Sequence, residues 1–127
     1  MTKRATSKIG DTTMNEGEFY EYLRSIRNKH DRYDLPSMFL SHMALRPDVY
    51  NTFENFAFEG IRAGATKLSA WLIANRMRWE LILSNKGKEE FNISNDFIGL
   101  YARLFMARHP QYQGYFSTKA MKRIKGM

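Results

Sequence analysis

The sequence contains no cysteine. Disulfides and cysteine-ligated zinc are excluded, and nothing in the composition marks an oxidising compartment. Histidine is scarce, and His30, His42 and His109 lie scattered without metal-ligand spacing. No apolar run approaches the roughly 18 residues of a membrane-spanning helix. The opening segment, MTKRATSKIG, is basic and polar and lacks the apolar stretch of a signal peptide. A cytoplasmic protein with no membrane partner is the expectation. Catalytic hallmarks are missing too. Gly60 and Gly64 sit among helix-forming residues and do not form the GxxxxGK phosphate loop. There is no nucleophile elbow. Glu89 and Glu90, close to Lys86 and Lys88, make a charged turn and not the carboxylate constellation of a metal nuclease. The chain is expected to be no enzyme and to hold no cofactor or metal.

What is present points to a folded, basic protein. The 127 residues suit one domain. Hydrophobic residues make up 43% and aromatic residues 14%, enough to bury a core. Formal net charge is +7, which favours a polyanionic partner: DNA, RNA or an acidic protein.

Three stretches follow from the pattern of residues. Residues 1–16 are poor in apolar side chains and read as a flexible basic tail. Residues 17–116 read as a single, mainly helical domain, and residues 117–127 as a basic C-terminal tail. Within the domain, Phe19, Tyr22, Leu23 and Ile26 fall on one face of a first helix over 18–29. Pro36 biases Leu35 away from helix, so a short second helix is predicted from Ser37 to Ala44, with Met38, Phe39 and Met43 inward. Pro47 suits the first turn of a third helix. Its stripe of Val49, Tyr50, Phe53, Phe56, Ala57 and Ile61 marks it as the expected centre of the core. A later helix, over 95–108, is capped by Ser94 or Asn95 and carries Phe97, Leu100, Tyr101, Leu104 and Phe105. Beyond Pro110, Tyr115 and Phe116 are expected to cover the core.

The stretch between these helices, 59–91, carries the functional expectation. Gly64 suits a left-handed helix cap. Thr66 can cap a fourth helix over roughly 67–81, with Ala70, Ile73, Ala74 and Met77 inward and Trp71 and Trp79 as core or hinge anchors. Leu81, Ile82 and Leu83 then form a β-prone run, the 84–88 segment has turn chemistry around Gly87, and Phe91 and Ile93 alternate. The order is that of a helix-turn-helix followed by a short β-hairpin, a winged-helix-like fold. Lys67, Asn75, Arg76 and Arg78 would lie on or beside a recognition helix, because arginine reads guanine and asparagine reads adenine. Lys86 and Lys88 at the hairpin tip would meet phosphates.

The residues from Pro47 to Phe116 also resemble a family of small, uncharacterised phage and prophage proteins. The resemblance rests on Arg78-Trp79-Glu80, then Phe91-x-Ile93-x-Asn95, Tyr101-Ala102-Arg103, Pro110 and Gly114-Tyr115-Phe116. It implies a mobile-element setting, in the cytoplasm of a host cell, and no particular activity. The leading expectation is a non-enzymatic protein associated with duplex DNA. The alternative is a protein-binding module that modulates a host factor, with Tyr112 and Tyr115 as anchors. A structural protein of the phage particle is a third. No heptad argues for a dimer.

Overall fold

The computed structural model of the chain describes residues 14–84 and 95–116. These form five helices: α1 (Glu16–Ile26), α2 (Leu35–Leu45), α3 (Pro47–Arg62), α4 (Ala70–Ser84) and α5 (Asn95–Arg108). A 3-10 turn at Pro110–Tyr112 follows. The mainly helical expectation holds. The expected hairpin does not: the described residues contain no β-strand, and Leu81, Ile82 and Leu83 form the last turn of α4. A short apolar run is equally compatible with helix or strand, and here it continues a helix already propagating from Ala70. The expected tip residues Lys86 and Lys88 lie outside the described residues. The first strand being helical, the winged-helix assignment falls.

Helix α5 is the centre of the core. Every residue from Leu100 to Ala107 is buried, and α1, α3 and α4 all pack against α5. A helix buried on every side belongs to a core and not to a surface, and α5 carries one charged side chain, Arg103, into that core. The expectation that α3 would hold this place is corrected. Helix α3 does bury Val49, Tyr50, Phe53 and Ala57 as its stripe predicts, but it has a solvent face. Tyr101 of α5 lies within 6 Å, ring to ring, of Phe39, His42, Tyr50 and Phe53. Phe105, one turn on, meets Phe58, Tyr112 and Phe116. Burying each such ring is worth about 1.5–3 kcal/mol, so this aromatic column dominates the packing.

The ends of the helices follow from local chemistry. Asn15 and Glu18 form a reciprocal capping box at α1, which begins two residues before the predicted start. Asp34 accepts from the Ser37 N–H at 2.9 Å and caps α2. Helix α2 therefore starts at Leu35, with Pro36 in the first turn where no N–H is needed. The predicted start at Ser37 was late for that reason. At the end of α3, Gly64 takes φ +101°. Its N–H donates to the Ile61 carbonyl and that of Ala65 to the Gly60 carbonyl, the paired bonds of a Schellman cap.

The connection from α3 to α4 spans residues 63–69, longer than the roughly 3–4-residue turn of a DNA-binding helix-turn-helix. It is held down by the C-terminal segment. The Leu68 N–H donates to the Tyr115 carbonyl at 3.1 Å, and the Tyr115 hydroxyl donates to the Ala65 carbonyl. A Cβ on Gly60 would come within 2.9 Å of the Leu68 side chain, so a glycine lets Leu68 lie against α3. Helix α4 does not begin at Lys67. It begins at Ala70, where the Ser69 hydroxyl accepts from the Leu72 N–H. Thr66 is not the cap.

Candidate interaction surface

Helix α4 is apolar on two opposite faces. At 100° per residue, Ile73, Ala74 and Met77 share one face, and all three are buried against the core. The opposite face is an arc of about 120° that carries Trp71, Leu72, Asn75, Trp79, Ile82 and Leu83. The five large apolar side chains of that arc remain exposed by 49%, 65%, 58%, 43% and 56% in chain order. Trp71 and Trp79 are therefore not core anchors, and that expectation is corrected. The expected inward residues Ile73, Ala74 and Met77 are the ones the core covers; what the spacing did not show was the second apolar face. The signal that could have revealed the surface was the excess of apolar residues on α4 over what one face can hold.

The charged residues of α4 border this arc. Arg76 and Arg78 fall at its two edges. Arg76 is held: its Nε donates to Glu80 at 3.0 Å, its Nη1 to Glu59 at 3.2 Å, and its guanidinium lies 4.6 Å from the centre of the Phe56 ring. Arg78 Nη1 donates to Asn75 Oδ1 at 2.8 Å. Lys67 is exposed in the connection before the helix, not on it. Asn75 and Arg78 are thus brought together on α4, with Arg76 on the opposite edge of the arc and Lys67 off the helix. Lys86 and Lys88 lie outside the described residues. The arrangement gives α4 an apolar stripe interrupted by one amide, with its guanidinium groups turned to intramolecular partners.

Two half-buried polar clusters lie elsewhere. The Glu54 carboxylate accepts from the Tyr50 hydroxyl at 3.0 Å and is bonded to His109 Nε2 at 2.7 Å, with Arg108 Nη1 at 3.9 Å. Arg108 Nε reaches Glu16 at 3.4 Å. This cluster ties α3 and α1 to the end of α5. Burial first, then the Glu54 charge, pushes the Tyr50 hydroxyl well above its usual range, so it stays protonated and serves as a donor. In the second cluster, His42 Nε2 is hydrogen-bonded to the Tyr101 hydroxyl among the rings of Phe39 and Phe97. Burial, then the charge of Arg46, lowers the His42 pKa, and burial raises that of Tyr101. Neither cluster has the metal-ligand make-up, and no group of three His, Asp or Glu suited to a metal ion occurs among the described residues. No helix among the described residues is long and apolar enough to cross a membrane.

No protein-family model, curated protein or solved structure matches the chain. The surface has to be interpreted from its own chemistry.

Proposed function

We propose that the chain is a non-enzymatic protein-binding module that meets its partner with the outer face of α4. The observation that carries this reading is the row of five large, exposed apolar side chains on one helix. Monomeric soluble proteins expose single apolar residues freely, but a contiguous patch rimmed by polar groups marks an interaction surface. Tryptophans in particular concentrate binding energy when a partner desolvates them. A protein surface can cover indole and leucine. A DNA major groove, lined with hydrogen-bonding edges and phosphates, offers them little. A mobile-element setting, with host proteins among the partners to test, belongs to the same proposal.

A second reading, association with duplex DNA, is favoured by the net charge of +7. It would use Lys67, Asn75 and Arg78 as phosphate and base contacts. The engagement of Arg76 by Glu59 and Glu80 weighs against a reading role for that residue.

A photo-crosslinking residue placed at Leu72, with a control at Arg24 on α1, separates the two. Crosslinks in expressing cells that join position 72 to protein, and do not form from position 24, are expected. Crosslinks from position 72 to nucleic acid alone, or none, would overturn the protein-binding reading.

A further inference from the structure

We infer that the outer face of α4 is covered by a second copy of this chain, its α4 lying antiparallel to the first about a two-fold axis near residue 77. This rests on the protein-binding reading and names the partner. The seam residues Leu72, Asn75, Trp79 and Ile82 recur at steps of three, four and three, the spacing that keeps side chains on one line of a packed helix pair. The line is self-complementary when reversed. A two-fold midway between Asn75 and Trp79 is also midway between Leu72 and Ile82, and midway between Trp71 and Leu83. Each aliphatic side chain then faces an apolar one. Each Trp79 faces the one small polar residue of the seam.

That last pairing has chemical content. A buried indole N–H needs an acceptor. The Asn75 amide oxygen accepts from Arg78 within its own chain and has a second lone pair. It is the only seam side chain that can accept from the facing Trp79. A polar residue at such a position fixes the register of a helix pair. Self-pairing also presents matched large and small side chains at the same place, as an isologous contact requires.

Size and charge fit a second copy. With the fractional exposures given above, the arc offers roughly 500 Å² of apolar surface per copy. Two such faces bury up to roughly 1,000 Å² in total, the lower limit of a specific interface, so a weak, concentration-dependent dimer is expected. At one edge of the seam Arg76 is offset by Glu59 and Glu80, which limits repulsion between two basic chains. The remaining charge is screened within about 8–10 Å at ordinary salt.

The native chain has no cysteine, which allows a clean geometric test. Full-length chains carrying Leu72→Cys and Ile82→Cys are oxidised separately and as a mixture, and wild type is examined by sedimentation velocity over a range of concentrations. The expected results are a concentration-dependent dimer, a disulfide between the two variants in the mixture, and little from either variant alone. Trp79→Glu, checked for its helical circular dichroism, should weaken the dimer by about tenfold or more. Efficient Leu72→Cys homodisulfides would overturn the antiparallel arrangement. A wild-type chain that stays monomeric at the highest concentration would overturn the second copy as partner. In that case crosslinks from position 72 to a different protein would leave the protein-binding reading standing, and their absence would remove it too.

Discussion

Gly60 and Gly64, four residues apart, answer to different constraints. Gly64 sits at φ +101°, where a side chain is strained whatever room surrounds it. Gly64→Ala should therefore cost about 1–2 kcal/mol in a denaturant titration. Gly60 is helical, and an added Cβ meets only the end of the Leu68 side chain. Leu68 can yield by rotation, and alanine gains about 1 kcal/mol of helix propensity. Gly60→Ala should stay within about 0.5 kcal/mol of wild type, and a loss as large as that of Gly64→Ala would show the Leu68 contact to be rigid. His42 supplies a pH dependence. Burial first and Arg46 second lower its pKa from 6.5, against a smaller opposing pull from Asp48. The folded chain binds this proton less readily than the unfolded one, so its stabilising effect is complete above about pH 6.5 and is lost as pH falls through the lowered value. His42→Gln does not titrate and can still bond Tyr101. Its melting temperature should fall less between about pH 7 and about pH 5 than that of wild type, and parallel curves would refute the assignment.

Helix α4 carries apolar side chains on two faces with opposite surroundings, one buried and one exposed. Met77→Ala opens space in the core and should cost about 2–5 kcal/mol. Trp79→Ser removes a larger side chain from the outer face, yet should change monomer stability by no more than about 0.5 kcal/mol at low protein concentration. Comparable losses would mean that Trp79 is packed within the monomer. The contrast also shows what the residue pattern could and could not disclose. The 3.6-residue period of Phe19, Tyr22 and Leu23, and of Val49, Tyr50 and Phe53, located α1 and α3 because each has one apolar stripe. It also located α5 at Asn95–Arg108 and the inner face of α4, but not what the surplus of apolar residues beyond one stripe means in each. For α5 the surplus means burial on every side, and for α4 it means an uncovered face. The pattern is alike in both, and only the placement of the neighbours separates them. The Leu81-Ile82-Leu83 run failed for a related reason, since three apolar residues carry no period. The connection before α4 is held by Tyr115, 45 residues beyond Ala70, which no local signal could convey.

For the whole molecule the decisive quantity is where the charge resides. The described residues hold 11 lysines and arginines against 10 aspartates and glutamates, so the helical body is close to neutral. The net charge of +7 comes mostly from the rest of the sequence, above all from Lys119, Lys122, Arg123 and Lys125. The expectation that basic residues on α4 would meet DNA took the total charge as a property of the folded surface. Non-specific affinity for a polyanion follows the cations free to displace counterions, with log K falling by about 0.9 per phosphate contact for each unit of log salt. On α4, Arg76 is already engaged by two carboxylates. Whatever affinity the chain has for a random duplex should therefore follow the C-terminal lysines. Ending the chain at Phe116 should reduce that affinity and flatten its salt dependence in fluorescence anisotropy. Lys67→Ala with Arg78→Ala should lower both by less than the truncation does, since they remove two positive charges and the truncation removes four. If the α4 substitutions abolish binding and the truncation does not, the cations that matter lie beside the tryptophans. The outer face of α4 would then be a nucleic-acid surface, and the dimer seam would have to be sought on another helix.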